Sequence, residues 1–300
     1  MRNSFVQDLT LEAEKNPNIV LLSGDLGSNC LEVFWNKFPD RFFNCGIAEQ
    51  NMMLVAAGLA MEGKKVFVYS IGNFDSLRVL EMIRNDICYM NLDVNIISVG
   101  AGLEYGKLGF SHHSTEDVSA LRAMPNMSVF SPATAKEMKG VTKKMMETTS
   151  PCYVRLNKKS AGDFGSSACR VSEIISGTEV AFVASGAIVT EALAAAEILK
   201  SKGVSAGVYS FPVIKPRADK AILDISAKYK YIVAMEEHTV VGGFGSSVAE
   251  VLAENSAKCG FKMIGIQDEF APLVGDRNHL RKQYGMDAES VAKAVLKALK

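Results

Sequence analysis

Short apolar runs recur along the first half of the chain. They occupy residues 19–22, 66–69, 94–99, 128–130 and 152–156, and longer segments with helical periodicity separate them. Runs that are apolar at consecutive positions are typical of parallel strands buried on both faces. Strands that alternate with helices indicate an α/β fold with a doubly wound, mostly parallel sheet.

The second half repeats this alternation on a smaller scale. The pattern predicts strands at residues 179–184, 204–211 and 231–235, and helices at 189–202, 218–228 and 245–254. Between the halves, residues 157–170 are small and charged and show no hydrophobic period. We therefore predict two domains, over residues 1–160 and 170–300, of which the second is the smaller α/β unit.

A helix predicted over residues 47–61 carries an acid, Glu49, in its first turn. Its residues are apolar on nearly every face, which predicts a helix packed inside the domain rather than on its surface. Glu49 would complement the helix dipole or serve as a functional carboxylate at the edge of a core. Ser114 and Thr134, each followed three residues later by an acid, predict two further helix starts.

The residues with candidate chemistry follow the predicted strands. Open parallel sheets bind ligands outside the carboxyl ends of their strands, in the loops that lead into helices. Such loops contain Gly24-Asp25, Asn44-Cys45-Gly46, Ser70 to Asn73 and Gly100 to His113. These loops are therefore the predicted ligand site.

Composition excludes several classes of protein. The 300 residues are 48% hydrophobic and carry 33 basic and 33 acidic side chains, so nothing indicates a nucleic-acid or membrane surface. No signal core or bilayer-spanning run occurs, and we expect a cytoplasmic protein. The six cysteines lack Cys-x-x-Cys spacing, which argues against zinc, redox and disulfide sites.

The run Gly46-Ile47-Ala48-Glu49-Gln50-Asn51-Met52 resembles a segment of thiamine-diphosphate enzymes of the transketolase type. The resemblance covers almost the whole chain, but it corresponds only to the C-terminal part of a full transketolase. It implies a pyrimidine-binding domain followed by the transketolase C-terminal domain. It also implies that Glu49 is catalytic, because that family uses a glutamate here to share a proton with the cofactor's aminopyrimidine ring.

The same resemblance assigns further contacts with the cofactor. Phe74 matches the phenylalanine that stacks on the pyrimidine, Ile71 and Leu77 are secondary candidates, and Asp25 matches an acid near the cofactor. Asp25 could equally cap its own loop. Alternatively, Phe74 and Leu77 belong with Leu80 and Ile87 to the buried face of one helix. The spacing of Arg78, Glu81 and Arg84 on that helix predicts ion pairs that are structural or line a subunit contact.

Substrate contacts follow from two more matches. His112, assisted by His113, resembles the histidine with which transketolases contact the sugar near its reacting carbon, and a zinc site is not predicted because adjacent histidines rarely bind one ion. Leu108 replaces the family's aspartate, so the acceptor aldehyde stays open. Arg2, Ser28 and Arg155 match positions that bind the substrate phosphate, although Arg2 and Arg155 could be ordinary surface charges.

One expected motif is missing. Thiamine enzymes hold the diphosphate and Mg²⁺ with a Gly-Asp-Gly motif, and this chain contains none. We therefore expect an N-terminal partner subunit to carry that motif and a second copy of this chain to complete an α₂β₂ assembly. The glycines in Gly242-Gly243-Phe244-Gly245 are interpreted as a structural feature of the second domain.

The leading hypothesis is the C-terminal subunit of a split transketolase, which moves a two-carbon ketol unit from a ketose phosphate to an aldose. One rival is the β subunit of a 2-oxo acid dehydrogenase or an enzyme like deoxyxylulose-phosphate synthase. Another is a non-catalytic scaffold subunit that kept the fold. Cofactor titration separates the last from the others, because a scaffold should not be stabilised by thiamine diphosphate.

Overall fold

The predicted strands form the centre of a seven-stranded sheet in the computed structural model, which describes residues 1–300. Its strands are β1 (Ile19–Ser23), β2 (Phe42–Asn44), β3 (Lys65–Ile71), β4 (Val94–Val99), β5 (Ser128–Phe130), β6 (Cys152–Leu156) and β10 (Val213–Lys215). In the order β10-β5-β6-β4-β3-β1-β2, only the pair β10 and β5 is antiparallel. The five strands predicted for the first half are confirmed.

Burial on both faces explains why consecutive apolar residues became strands. Every residue of β1, β4 and β6 is buried, because helices cover both sides of the sheet. The helices of this part are α1 (Arg2–Lys15), α2 (Glu32–Lys37), α3 (Glu49–Met61), α4 (Leu80–Met82), α5 (Asp117–Arg122) and α6 (Ala135–Glu147). The loops that lead from the strands into these helices contain the predicted site.

A second sheet of five strands follows, in the order β12-β11-β8-β9-β7. Its strands are β7 (Ser172–Ile175), β8 (Val180–Ala184), β9 (Ala206–Ser210), β11 (Tyr231–Thr239) and β12 (Gly260–Ile266). The helices of this part are α7 (Val189–Ser201), α8 (Asp219–Lys228), α9 (Phe244–Glu254), α10 (Arg277–Gln283) and α11 (Ala288–Ala298). All pairs are parallel except β7 with β9, so the predicted α/β class is confirmed in both halves.

The two sheets share one core. A single apolar cluster contains Val68 and Ile96 of the first sheet together with Val183 and Ile232 of the second. Strand β10 belongs by sequence to the second half, yet it pairs with β5 of the first sheet. None of the helices combines the length and the apolar character that a bilayer crossing requires.

One of the two predicted helix starts is confirmed. The Thr134 hydroxyl accepts a hydrogen bond from the backbone N–H of Glu137 at 3.2 Å and caps α6. The prediction at Ser114 is wrong, because α5 begins only at Asp117 and has no side-chain cap. The backbone N–H of Ser114 instead donates to the carbonyl of Gly102 at 3.0 Å, which draws this residue into a bridge with the preceding loop.

Helix α3 has an exposed apolar face, so the prediction that it is packed inside the domain is wrong. Met52, Met53 and Ala56 are fully buried, whereas the side of the helix that carries Leu54 and Val55 is open, with exposed fractions of 47% and 38%. Sequence patterning could not separate the two cases, because a helix that packs against another subunit is also apolar all round. This face is free to pack against a second chain.

The segment after Phe74 is not one regular helix. It begins as a 3₁₀ turn at Leu77–Val79, becomes α4 and continues as a π-helix at Ile83–Cys88. The predicted single stripe through Phe74, Leu77 and Ile87 is therefore wrong. The predicted ion pairs among Arg78, Glu81 and Arg84 do not form either, because each change of helix type shifts the side-chain spacing.

The glycine-rich loop before α9 binds a carboxylate of the chain itself. Glu236 accepts hydrogen bonds from the backbone N–H groups of Phe244 and Gly245, both at 2.7 Å. A Cβ atom on Gly243 would lie 2.2 Å from Oε2 of Glu236, so only glycine permits this approach. Burial raises the pKa of Glu236 to about 7. The prediction of a structural role for this loop is confirmed.

Candidate active site

Glu49 lies in the first turn of α3, where the ends of β1 and β3 meet. Its side chain is 4% exposed. A Cβ atom on Gly24 would lie 3.7 Å from Cγ of Glu49 and 3.3 Å from the Ser70 hydroxyl, so this glycine leaves room for both side chains. The Ser70 hydroxyl is buried and has no hydrogen-bond partner. The carboxyl end of the sheet thus contains a buried acid close to an unpaired hydroxyl.

Arg78 reaches this acid from the segment before α4. Its Nη1 atom donates to Oε2 of Glu49 at 2.9 Å. Its guanidinium carbon lies 4.2 Å from the centre of the Phe74 ring, the range of a cation–π contact. The Arg78 side chain is 45% exposed, so the pair closes the site on its solvent side. Sequence reasoning missed this contact because it considered only helical neighbours of Arg78.

Phe74 begins a row of rings at the mouth of the site. The imidazole of His112 lies 5.2 Å from the Phe74 ring, edge to face, and the Tyr105 ring lies 6.5 Å from that imidazole. Nδ1 of His112 is 3.0 Å from the Ser111 hydroxyl. His112 is half-buried, whereas His113 is 2% exposed and burial lowers its pKa. Of the two histidines, only His112 is open to the site.

The remaining predicted cofactor residues surround this group. Ile71 ends β3 and Leu77 begins the 3₁₀ turn, and both are half-buried. Asp25 is exposed and adopts a φ of 55°. Its Oδ1 accepts a hydrogen bond from the Asn44 side chain at 2.9 Å, and Oδ1 of Asn44 accepts the Gly46 N–H at 2.9 Å. Asp25 therefore anchors the loop that leads into α3.

Two basic residues, Arg2 and Lys158, are joined through their backbones near Tyr105. The backbone N–H of Arg2 donates to the carbonyl of Lys158 at 3.3 Å, and the amino group of Met1 donates to the same carbonyl at 3.1 Å. The Lys158 ammonium lies 4.1 Å from the centre of the Tyr105 ring. Sequence reasoning missed Lys158. Its position two residues after β6, at the carboxyl end of the sheet, is one at which ligand-binding residues are expected.

The other two predicted phosphate ligands, Ser28 and Arg155, differ in exposure. Ser28 is exposed beside Asp25, in a pocket also lined by Trp35. Arg155 is 3% exposed, and its Nε donates to Oδ2 of Asp117 at 2.8 Å. Its Nη2 donates to the carbonyls of Ser114 and Glu237. This geometry does not bring Arg155 to the site, because its position within β6 directs it into the core.

A buried ionic network joins the second sheet to the site loop. The Glu237 carboxylate accepts from Arg277 at 2.8 Å and is also paired with Arg281. Arg277 also donates hydrogen bonds to Glu104 at 3.4 Å and to the Asn157 side chain at 2.7 Å. Burial alone would raise the pKa of Glu237, but the two arginines outweigh it and lower the pKa to about 2.

This network ends at the backbone of Lys158. Oε2 of Glu104 accepts the backbone N–H of Lys158 at 3.2 Å, so the side chains of the second half fix the backbone that carries Lys158. No group of three or more His, Cys, Asp or Glu side chains is arranged to hold a metal ion.

Together these groups can bind a planar ring that carries nitrogen. The Glu49 carboxyl can bond a ring nitrogen, the unpaired Ser70 hydroxyl can meet an exocyclic amino group and Phe74 offers a face for stacking. A buried hydroxyl without a protein partner can bond a polar ligand atom or a water molecule. These residues thus fit an aminopyrimidine. They offer nothing that would hold a diphosphate.

The chain matches two family models. Residues 1–162 match the transketolase pyrimidine-binding domain and residues 170–291 match the transketolase C-terminal domain. A putative transketolase C-terminal section of Methanocaldococcus jannaschii is 38% identical, over 100% of this chain and 96% of that protein. A subunit of an apulose-4-phosphate transketolase from Actinobacillus succinogenes is 35% identical, over 99% of this chain and 97% of the relative.

A solved structure shows the same fold at similar length. It is described as a split-gene transketolase in an inactive β4 tetramer, and it is 36% identical to this chain. The match covers 99% of this chain and 97% of the other, with a TM-score of 0.87.

Proposed function

We propose, from the premise that this chain belongs to the transketolase family, that it is the C-terminal subunit of a thiamine-diphosphate-dependent transketolase. The reaction would transfer a two-carbon ketol unit from a ketose phosphate to an aldose. The observation that carries the proposal is the buried Glu49 beside Phe74, the unpaired Ser70 hydroxyl and His112. When bound, thiamine diphosphate supplies a nucleophilic carbon that accepts and releases the ketol unit.

Glu49 would share a proton with a nitrogen of the cofactor's pyrimidine ring. Its 4% exposure keeps water away from that proton, which strengthens the hydrogen bond. Phe74 would support the face of the ring, and Ile71 and Leu77 would close its edges. Asp25 would act indirectly, by holding the loop that sets the start of α3.

His112 would contact the substrate near its reacting carbon. Its imidazole stands next to Phe74 and is open to the site, where it can take a proton from a substrate hydroxyl and return it. His113, buried and next in sequence, would assist by fixing the loop.

A partner subunit would complete the site. This chain lacks a Gly-Asp-Gly motif, so we propose that an N-terminal partner binds the diphosphate and Mg²⁺. The exposed Leu54 and Val55 on α3, the helix that begins with Glu49, give this partner or a second copy of the chain an apolar surface. The names of similar proteins, a transketolase subunit and a β4 tetramer, support both associations.

The decisive experiment reconstitutes the pair. This chain would be co-expressed with a candidate N-terminal subunit and assayed for ketol transfer between sugar phosphates, with a thermal shift on thiamine diphosphate and Mg²⁺ as the binding readout. Transfer together with a cofactor-dependent shift supports the proposal. Turnover of pyruvate in place of ketol transfer would favour the 2-oxo acid dehydrogenase or deoxyxylulose-phosphate-synthase alternative. A pair without any cofactor-dependent shift would favour a scaffold.

The phosphate of the substrate would be bound by Arg2 and Lys158, with Ser28 as a further donor. Replacing Lys158 by Met should raise KM for a phosphorylated ketose by about 10- to 100-fold, because a hydrogen bond to a charged group is lost. KM for an unphosphorylated ketose should not change. Steady-state kinetics of the pair would measure both.

Lys159→Met is the matched control for this substitution. Lys159 is the next residue and is exposed, so the KM values of the Lys159→Met variant for both ketoses should equal those of the wild type. Equal effects of the two substitutions, or equal effects on both ketoses, would show that Lys158 does not bind the phosphate.

A further inference from the structure

Arg78 covers both groups that the proposed function assigns to the pyrimidine. One guanidinium hydrogen-bonds the Glu49 carboxylate at 2.9 Å and lies 4.2 Å from the centre of the Phe74 ring. A guanidinium is planar and donates hydrogen bonds in its plane. The guanidinium therefore imitates an aminopyrimidine in two ways. It hydrogen-bonds Glu49 as the edge of the ring would, and it lies against Phe74 as the face of the ring would.

This contact gives the buried Glu49 carboxylate a cationic partner in the free chain. The Glu49 side chain is 4% exposed, and Arg78 is the only hydrogen-bond donor to its carboxylate. A buried carboxylate without a partner is strongly unfavourable, so the site without cofactor requires a cation such as this one.

The same contact opposes the proposed chemistry. The guanidinium donates a hydrogen bond to the same carboxyl group that would bond the ring nitrogen. The ring and the guanidinium therefore compete for Glu49.

We propose that Arg78 occupies the pyrimidine position in the free subunit and has to turn outward before the ring of the cofactor binds. This inference rests on the proposed function. The Arg78 side chain is 45% exposed, so it can turn outward without a change in the core. The isolated chain should then bind the pyrimidine only in the fraction of molecules whose ion pair is open, which lowers the apparent affinity.

The test measures binding to the full-length chain. The probe is 4-amino-5-hydroxymethyl-2-methylpyrimidine, titrated by isothermal calorimetry. Arg78→Gln should bind it about five- to thirtyfold more tightly than the wild type, because the competing cation is gone. Arg84→Gln is the matched control: Arg84 lies further along the same segment, is exposed and donates a hydrogen bond to Asn85, so the affinity of this variant should equal that of the wild type.

Salt provides a second readout that a general loss of structure would not produce. The Arg78 side chain of the ion pair is 45% exposed, so added salt weakens the pair and should raise the affinity of the wild type for the probe. Arg78→Gln should show no such dependence. Arg78→Lys keeps the charge but not the planar fork, and its affinity should lie between the other two.

Two results would overturn the inference. Weaker binding by Arg78→Gln would make Arg78 a direct ligand of the ring, and equal binding would make the ion pair irrelevant. These results are separable from the proposed function, because the reconstituted pair tests that function through ketol transfer and a cofactor-dependent thermal shift. An active pair whose Arg78→Gln variant shows no tighter binding of the probe would remove the inference and leave the function intact.

Discussion

Ketol transfer should fall by about 10²- to 10⁴-fold when Glu49 is replaced by Gln, the range by which a positioned proton-sharing group accelerates a reaction. The amide keeps the shape and the burial of the side chain, but it cannot exchange a carboxyl proton with the cofactor ring. The loss should appear in kcat of the reconstituted pair. KM for both sugars should change little, because Glu49 is not proposed to contact substrate.

The cofactor should still bind to this variant. The partner subunit would hold the diphosphate and the metal ion, and Phe74 would still support the ring. A thermal shift on thiamine diphosphate should therefore persist while turnover is lost, which separates proton sharing from a failure to bind.

Glu62→Gln is the control for this substitution. Glu62 follows the end of α3 and is exposed, so its turnover should equal that of the wild type. Turnover of Glu49→Gln within about a factor of two of the wild type would remove the mechanism, because proton sharing contributes far more than that.

The sequence predicts most of the scaffold that presents this acid. Apolar runs such as residues 94–99 are recognisable as strands because both faces of the sheet are covered, and parallel pairing then places their loops together. Parallel pairing also places Glu49, Phe74 and His112 together at the carboxyl end of the sheet. Their roles remain proposals, but their proximity is a property of the fold.

The residues that the sequence did not predict depend on pairing between distant segments. Arg78 is 29 residues from Glu49 along the chain, and no helical spacing connects the two. Arg155 and Lys158 are three residues apart, yet one enters the core while the other follows the strand into the loop. Side-chain direction at a strand end decides between them, and a pattern of apolar residues carries no information on it.

The exposed face of α3 shows a second limit of such patterns. Apolar residues at Leu54 and Val55 predict burial, and the pattern carries no information on which chain would bury them. The missing Gly-Asp-Gly motif is the separate sequence feature from which an N-terminal partner is proposed. An apolar surface next to an incomplete site is what a subunit of a divided active site requires.

The second half of the chain contributes to the site through Glu237. This carboxylate pairs with two arginines, and one of them, Arg277, reaches Glu104, which bonds the backbone of Lys158. The network ties two segments to strand β11: the loop that carries His112, through Glu104, and the segment that carries Lys158. A domain that holds none of the proposed catalytic groups can therefore still set their positions.

Replacing Glu237 by Gln should lower the free energy of unfolding by about 3–5 kcal/mol, because two buried arginines lose the charge that compensates them. Urea unfolding of the isolated subunit at neutral pH would measure the loss. Glu254→Gln is the control: Glu254 pairs with Arg217 at the surface, with 57% of its side chain exposed, and its removal should change stability by less than about 1 kcal/mol.

The effect should also depend on pH in a defined direction. Burial acts to raise the pKa of Glu237, but Arg277 and Arg281 outweigh it and lower the pKa from its ordinary value of 4.5 to about 2. An acid with a lowered pKa in the folded state stabilises the fold fully above its unfolded pKa, and it loses that contribution as the pH falls towards the folded value. The difference in the free energy of unfolding between wild type and Glu237→Gln should therefore be constant above about pH 4.5 and become smaller below that pH. A difference that stayed constant through this range would show that packing, rather than the charge of Glu237, holds the two halves together.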